Sequence, residues 1–497
     1  MSAIKWEGVY SALLTPFDAD DHIDYNLFEI NIQAQVDAQI DGIVLGGSLG
    51  EASTLSFEEK KSLLTHAKRI VKDRIPVVLN IAEQSTKEAM RIARQAEASG
   101  ADGLMVLPPM RYNADKATSE FVVRAPSHYK VISNGLLLEE SNLDAATRLT
   151  HWKQSVPIAC WLYVLGVADL AVQYVGQVDG KSIQTWVYPR DRVAGFYDLA
   201  TPTKSVVEFF SDYVGPYAYE KVANVQATSH GGMETASAIF YTENLINGKR
   251  TEGLRNVVIH ELAHQWFGNA VTESTWDDAW LSEGFATFFT LLYIEHAYGH
   301  DAYVKGLLNA KKLVYAYYDK DPHWSIVADR TAEDGPVTNI ITYQKGAWFL
   351  HMLRDSIGDE AFQTGIRSYY HDFMNSNATT GDLLQEMGKA SGKNLKAFFD
   401  QWLYHSEDPE LKGNWKYDAA GKKIIVTLDQ LPKDNFLFDV PVEIGIYADN
   451  VPVPKVFKFR LNTKTAAFEI PADTKPERVV FDPRTVLLAR VDFKRAD

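Results

Sequence analysis

Cysteine is almost absent from this sequence, since Cys160 is the only one in 497 residues. A single cysteine excludes an intrachain disulfide framework, a cysteine-rich zinc site and a paired redox motif. Positive charge is also scarce: 50 Lys and Arg stand against 65 Asp and Glu, a formal net charge of −15. Because binding to a phosphate backbone needs clustered positive charge, we expect no nucleic-acid partner. Any metal ligands must come from histidine and carboxylate side chains.

Long hydrophobic runs are missing as well. The longest covers residues 158–168, which is 11 residues, whereas a helix that crosses a bilayer needs about 20. We predict that this run forms a buried strand. Residues 1–7 show no basic stretch followed by an apolar core, so that we expect no secretory signal, no membrane association and a cytoplasmic location.

Residues 8–113 alternate short apolar runs with amphipathic stretches. The pattern predicts parallel strands over residues 9–14, 42–46, 76–81 and 103–107, and helices over residues 25–39, 56–72 and 85–99. Ser56 and Glu59 have the spacing of a capping box at the second helix. A closed barrel needs eight strands, and the alternation ends after the fourth. The segment therefore predicts a partial (βα) barrel.

The pattern changes at about residue 116 to strands of period two, and after about residue 201 to long helices rich in aromatic residues. Alternating runs return near the C-terminus, after a turn at residues 418–421, and predict a β-sandwich. We interpret the chain as a multidomain α/β plus α+β protein with four parts, residues 1–115, 116–200, 201–410 and 411–497.

The chemistry is concentrated in one predicted helix that contains His260, Glu261 and His264. Histidines four residues apart share one helix face, so both imidazoles can bind one zinc ion. A catalytic zinc usually takes a third protein ligand, and Glu283, after 18 intervening residues at the start of another helix, fits that requirement. Glu261 would then accept a proton from the attacking water. The motif alone is only moderately specific, because a helical histidine on an apolar face is more often a core residue.

Together with the segment 231–235, Gly-Gly-Met-Glu-Thr, this pattern resembles the zinc aminopeptidase family of aminopeptidase N and the leukotriene hydrolases. The likeness extends from about residue 116 to residue 497 through segments 184–186, 215–217, 264–269 and 341–347. The resemblance implies the remnant of a saddle-shaped β-domain, then a thermolysin-like catalytic domain that holds one zinc ion per chain. It also implies an origin of this portion in an exported protein as an alternative to the cytoplasmic expectation.

The resemblance assigns roles to individual residues. Glu234 would bind the free α-amino group of a peptide, Tyr343 would stabilise the oxyanion, and Gly231, Gly232 and Met233 would run beside the substrate as an edge strand. We therefore expect an aminopeptidase whose partners are peptides with a free N-terminus. The sequence departs from the family at Gly232, where alanine is frequent, and at residue 235, a threonine where asparagine is usual.

The first 113 residues resemble a different family, the dihydrodipicolinate synthase and N-acetylneuraminate lyase group. The likeness lies in residues 47–51, Gly-Ser-Leu-Gly-Glu, where that family binds a pyruvate carboxylate, and in residues 107–109. That family forms a Schiff base with a lysine on the sixth barrel strand, which has no counterpart here, so we interpret Gly47, Ser48 and Glu51 as remnants of the fold.

We interpret the chain as a chimera, whether natural, engineered or produced by misassembled sequence. Half a barrel exposes an apolar face, and we expect it to be buried by homo-oligomerisation. Two alternatives to a zinc aminopeptidase remain open: a pyruvate-dependent aldolase or lyase, and an inactive chimera that still binds zinc.

Overall fold

The computed structural model describes residues 10–18, 22–47, 55–81, 86–106, 117–228, 231–328, 337–448 and 451–496. The chain divides into two compact units, Met1–Asn113 and Ala114–Asp497. Residues 48–51 and 107–109, which carry part of the likeness to the lyase group, lie outside the described residues. In the described part of the chain, no helix combines the length and the apolar character that a membrane span requires.

The first unit is a four-stranded parallel sheet with helices between successive strands. Its elements are β1 (Tyr10–Ala12), α1 (Tyr25–Asp37), β2 (Gly42–Leu45), α2 (Phe57–Val71), β3 (Val77–Ile81), α3 (Thr86–Ala98) and β4 (Gly103–Val106), and the sheet order is β1-β2-β3-β4. Every predicted strand and helix of this segment is confirmed. The capping box is confirmed too, since the Ser56 amide donates to Glu59 Oε2 at 2.7 Å and the Glu59 amide donates to Ser56 Oγ at 3.3 Å. The strands are parallel because each connecting helix returns the chain to the end of the sheet at which the previous strand began.

The second unit begins with β-structure. Its elements up to residue 242 are β5 (Ala117–Pro126), β6 (Lys130–Ser133), β7 (Leu136–Asn142), β8 (Thr147–Ile158), β9 (Leu165–Ala168), β10 (Ala171–Val178), β11 (Lys181–Val187), α4 (Arg192–Tyr213), β12 (Lys221–Ala227), β13 (Gly232–Met233) and β14 (Ala238–Thr242). They form the sheets β5-β8-β7, β6-β9 and β10-β11-β12-β14-β13. The last of these sheets continues across residue 200, because β11 pairs with β12 in parallel.

The prediction of one buried strand over residues 158–168 is wrong. β8 ends at Ile158, a 3₁₀ turn covers Cys160–Leu162, and β9 belongs to another sheet. Leu165 and Val167 of β9 are 45% and 42% exposed. An apolar run does not by itself distinguish a continuous strand from a chain reversal between two sheets, and here the reversal is what occurs.

Helices dominate the middle of the second unit. They are α5 (Glu252–His264), α6 (Trp280–Tyr298), α7 (His300–Tyr318), α8 (Gly346–Ile357), α9 (Asp359–Phe373), α10 (Thr380–Ser391) and α11 (Lys396–Leu403), with β15 (Val271–Glu273) paired to β16 (Ser376–Ala378). Their core is aromatic, with Phe267 packed against Phe289 at 4.6 Å between ring centroids and a tilt of 36° between the ring planes. Burial of such large rings provides most of the driving force for packing these helices.

Two sheets end the chain; their pairs are antiparallel except for β17 and β23, which pair in parallel. Their strands are β17 (Glu410–Asp418), β18 (Lys423–Gln430), β19 (Val440–Tyr447), β20 (Lys455–Leu461), β21 (Thr465–Pro471), β22 (Arg478–Phe481) and β23 (Arg490–Arg495), in the sheets β21-β18-β17-β23 and β20-β19-β22. The Phe459 and Phe468 rings pack across the two sheets with centroids 4.5 Å apart. The predicted turn is confirmed, since the Gly421 amide donates to Asp418 Oδ1 at 3.0 Å between β17 and β18.

Candidate active site

Helix α5 presents two histidines on one face. Thr251 caps its first turn by accepting from the Leu254 amide at 3.4 Å, and Leu254, Val258 and Leu262 are buried. His260 and His264 follow one turn apart, and their Nε2 atoms lie 3.1 Å from each other. The helix therefore fixes two nitrogen donors at one point, as the motif predicts.

Helix α6 supplies the third donor. Glu283 Oε2 lies 3.2 Å from the Nε2 atom of His260 and 3.2 Å from that of His264. In the part of the chain that the structure describes, these three residues are the one group of His, Cys, Asp and Glu side chains with ligand atoms close enough to hold a metal ion. Donors about 2.0–2.1 Å from a tetrahedral zinc ion are roughly 3.3 Å from one another, so this triangle fits the ion.

The orientation of His264 is fixed by its second ring nitrogen. Nδ1 lies 3.0 Å from Ser282 Oγ and 3.2 Å from the Phe267 carbonyl oxygen. Contacts of this kind hold a histidine ligand in the tautomer and direction that metal binding needs. Sequence reasoning missed Ser282, although its place directly before Glu283 was the available signal.

The electrostatics of the three donors favour a positive charge between them. Burial lowers the pKa of His264, but Glu283 and Glu234 more than offset this and raise it to about 10. For the Glu283 carboxyl, burial alone would raise the pKa. The charge on His264 and hydrogen bonds from both histidines outweigh burial and hold this pKa well below its ordinary value. A site that stabilises a proton on a buried imidazole also stabilises a metal cation.

Glu261 lies beside this triangle but does not belong to it. The residue is 6% exposed, and burial raises the pKa of its carboxyl to about 8, with His264 acting in the opposite direction. A methyl group on Gly232 would lie 2.2 Å from Glu261 Oε1. Glycine at this position therefore leaves room for the carboxylate of Glu261.

Gly232 and Met233 form β13, the last strand of the five-stranded sheet. β13 is antiparallel to β14, with Gly232 opposite Tyr241 and Met233 opposite Phe240. The predicted edge strand is confirmed. Gly231, just before it, has a φ of +72°, a left-handed conformation that glycine adopts at low cost. An edge strand can receive an extended peptide through backbone hydrogen bonds.

The turn after β13 carries Glu234, and residues that follow the histidine motif hold its backbone. The Glu234 carbonyl oxygen accepts from Gln265 Nε2 at 2.8 Å and from Asn269 Nδ2 at 2.6 Å. The half-buried Glu234 carboxylate interacts electrostatically with His264 and Glu261. Threonine at position 235 is compatible with this turn, because its hydroxyl donates to the Ala238 carbonyl.

Tyr343 reaches the same place from a π-helical turn, Ile341–Lys345, that leads into α8. Its hydroxyl donates to Glu283 Oε1 at 2.6 Å, and burial together with Glu283 raises the pKa of the phenol well above its ordinary value. Helices α6 and α8 can approach closely because Gly284 has no side chain: a methyl group there would lie 3.0 Å from the Gly346 Cα atom. The raised pKa keeps Tyr343 a protonated donor next to the three residues that could hold a metal ion.

Comparison with known proteins supports two origins for the chain. Residues 197–402 match the Peptidase family M1 domain, and residues 5–132 match the Dihydrodipicolinate synthetase family. Glutamyl aminopeptidase of Rattus norvegicus is 30% identical over 351 residues, which cover 68% of this chain and 36% of the relative. Probable aminopeptidase 1 of Saccharolobus solfataricus is 30% identical over 323 residues, which cover 60% of this chain and 39% of the relative.

A solved structure has a fold similar to that of most of this chain. The crystal structure of Legionella pneumophila aminopeptidase A in complex with aspartic acid gives a TM-score of 0.63 at 19% identity, covering 77% of this chain and 45% of that one. The chain thus spans less than half the length of the aminopeptidases that it matches.

Proposed function

We propose that this chain, which combines a peptidase family M1 domain with a segment of the dihydrodipicolinate synthetase family, is a zinc-dependent aminopeptidase that removes N-terminal residues from peptides. The observation that carries the proposal is the triangle of donor atoms from His260, His264 and Glu283, with sides of 3.1–3.2 Å. Two imidazoles and one carboxylate are a ligand set typical of catalytic zinc, so these residues would hold one ion per chain.

The ion, when bound, polarises the substrate carbonyl and lowers the pKa of water. Glu261 accepts the proton of the attacking water as the new C–O bond forms. The same carboxyl then gives that proton to the amine that leaves when the C–N bond breaks. Glu261 suits this role because its buried carboxyl lies beside the three donor atoms without being one of them.

Tyr343 and Glu234 act on the substrate from two sides. The Tyr343 hydroxyl donates to the carbonyl oxygen as negative charge develops on it, an interaction that contributes about 3 kcal/mol to transition-state stabilisation. The Glu234 carboxylate accepts hydrogen bonds from the α-ammonium group, while Gly231, Gly232 and Met233 align the peptide backbone. Because the ammonium group must reach Glu234, we propose exopeptidase specificity for peptides with a free N-terminus.

We also propose finer assignments for the architecture. The first unit corresponds to a partial (βα) barrel, and the strands between residues 117 and 187 correspond to the remnant of a β-saddle. The helical region with the metal ligands corresponds to a thermolysin-like domain, and the two C-terminal layers to a β-sandwich. The sheet order and the parallel pairing in the first unit support the first of these assignments.

Hydrolysis of alanyl and leucyl anilides by the purified, zinc-loaded protein tests the function, with and without a chelator. N-acetylated alanyl anilide is the matched substrate control, since it lacks the ammonium group. We expect turnover that the chelator abolishes, that acetylation prevents, and that Glu261→Gln lowers by about 10²–10⁴-fold while zinc stays bound. Absence of turnover from folded, zinc-loaded protein, or full activity of Glu261→Gln, would refute the proposal.

A second candidate function is pyruvate-dependent aldol chemistry, which the match over residues 5–132 supports in part. The described residues of the first unit contain four strands of the expected parallel sheet, and the sixth strand with its Schiff-base lysine has no counterpart in the sequence. Borohydride reduction in the presence of pyruvate, followed by mass spectrometry, tests this candidate. A pyruvate adduct on any lysine would support it, and an unmodified chain would exclude it.

A further inference from the structure

Ser237 is a buried hub in the turn that carries Glu234. The residue has a φ of +62°, which is rare for residues other than glycine. Its hydroxyl accepts from the Gly135 amide at 2.8 Å and from Lys221 Nζ at 3.3 Å, and donates to Gln154 Oε1 at 3.4 Å. The three contacts use the one donor and two acceptor sites of a hydroxyl group.

Lys221, at the start of β12, is 1% exposed. Its Nζ atom donates to the Ser133 carbonyl at 2.7 Å and to Ser237, and lies 4.8 Å from the centre of the Trp152 ring. Among the described residues, no carboxylate lies within ion-pair distance of Lys221. A buried lysine without such a partner costs folding free energy that an apolar side chain would not, so its hydrogen bonds indicate a role beyond stability.

Asn134 holds the same turn. Its Nδ2 atom donates to the Ala236 carbonyl at 2.6 Å and to the Leu162 carbonyl at 2.9 Å, and its Oδ1 atom accepts from the Val164 amide at 2.8 Å. The connection between β6 and β7 thus contacts residues 236 and 237 directly. It lies in the part of the second unit that precedes the M1 domain match.

Gln265 holds the turn from the opposite side. Gln265 Oε1 accepts from the Ser237 amide at 2.9 Å, while its Nε2 atom donates to the Glu234 carbonyl. The turn from Glu234 to Ala238 is therefore clamped between residues 133–135 and the residue directly after the second metal-ligating histidine. Movement of Ser237 would change the position of Glu234, because both are tied to one glutamine.

We propose that Lys221 and Ser237 are positioning residues for the substrate amine, and that the strands between residues 117 and 187 fix Glu234 through them. The inference rests on the proposed function, in which Glu234 binds the α-ammonium group. Glu234 contacts that group in the ground state and in the transition state alike. A displaced Glu234 therefore raises KM and leaves kcat nearly unchanged.

Two substitutions remove the clamp without introducing bulk. Lys221→Met keeps the length of the side chain and removes the donor, and Ser237→Gly removes the hydroxyl while tolerating the positive φ. We expect each to raise KM for leucyl anilide about tenfold, as expected from losing hydrogen bonds that fix a binding group. The double variant should raise KM by less than the product of the two single effects, because both substitutions break the Lys221–Ser237 contact.

The matched control is Asn224→Ala on the same strand. Its side chain is buried, donates to Thr203 and accepts from Tyr241, and does not contact the turn. We expect this variant to lose stability with an unchanged KM. A wild-type KM in Lys221→Met and Ser237→Gly, or an equal rise in Asn224→Ala, would overturn the inference.

Hydrogen exchange separates this inference from the proposed function, since it needs no turnover. Amide exchange in the turn, residues 234–238, should be at least tenfold faster in Lys221→Met than in the wild type, and unchanged there in Asn224→Ala. If the wild type proves inactive, the proposed function fails while this result still decides the positioning role. Unchanged exchange in Lys221→Met would refute it.

Discussion

Gly232→Ala is the sharpest test of the catalytic geometry. The methyl group would lie 2.2 Å from Oε1, 2.5 Å from Cδ and 2.7 Å from Cγ of Glu261, whereas ordinary contacts begin at 3.4 Å. Because Glu261 has a flexible side chain and Gly232 lies on a strand backbone, the carboxylate will move and the strand will stay. The displacement needed for Oε1 is about 1 Å.

The expected loss follows from that displacement. A general base contributes about 10²–10⁴-fold to the rate, and a misplacement of about 1 Å can cost 10²-fold. Family members with alanine at this position must hold the glutamate differently, because Glu261 here occupies the space of that methyl group. In this chain we therefore expect kcat to fall about 10²-fold, which corresponds to about 2.7 kcal/mol of activation free energy. Zinc should remain bound, since the three atoms nearest to the added methyl group all belong to Glu261, which is not one of the three ligands.

Steady-state hydrolysis of leucyl anilide, together with zinc analysis and thermal unfolding, measures the effect. Gly253→Ala is the matched control: it adds the same methyl group on the helix that carries Glu261, but apart from its chain neighbours and the nearby backbone of that helix no atom lies within 4 Å of it. A kcat of Gly232→Ala within twofold of the wild type would refute the assignment of Glu261, in its observed position, as the base. A similar loss in Gly253→Ala would show that the effect is not local.

Two further predictions concern Tyr343 and Lys221. Tyr343→Phe should lower kcat about 10²-fold with zinc retained, because it removes the oxyanion donor, and steady-state kinetics with an unchanged kcat would contradict this. Burial lowers the pKa of Lys221 to about 7 from an ordinary 10.5, so between these values the unfolded chain holds a proton that the folded chain has lost. The free energy of unfolding should therefore gain up to about 1.4 kcal/mol per pH unit from this group as the pH rises from 7 to 10. Lys221→Met should reduce that slope in urea denaturation at pH 7, 8 and 9, and equal slopes in both proteins would contradict the prediction.

The cluster of His260, His264 and Glu283 could be predicted because its geometry is local. Residues 260 and 264 share a helix face whatever the rest of the chain does, and one acidic residue at the start of the next helix completes the set. The roles of Ser282, Gln265 and Asn269 could not be derived in this way. Each acts through a contact that depends on how α5, α6 and the turn at Glu234 pack together. No periodic pattern in the sequence predicts that packing.

The wrong prediction for residues 158–168 also arises because contacts between distant elements leave no pattern in the sequence. Hydrophobicity indicates which residues avoid water, and Ile158, Ala159 and Leu162 are indeed buried. It does not indicate which sheet they join, because a strand and a chain reversal both bury apolar side chains. The pairing of β11 with β12 likewise joins residues more than thirty positions apart through the intervening helix α4.

This long-range pairing bears on where the functional unit begins. The M1 domain match starts at residue 197, yet β10 and β11 belong to the same sheet as the strand that carries Gly232 and Met233. Hydrogen bonds from residues 134 and 135 reach the turn of Glu234 as well. A fragment that began at residue 197 would leave β12 without a partner on one side and the Lys221 Nζ atom without its Ser133 acceptor. The strands from residue 117 onward therefore belong to the same compact unit as the candidate site, and under the proposed function truncation within them should impair substrate binding before it impairs metal binding.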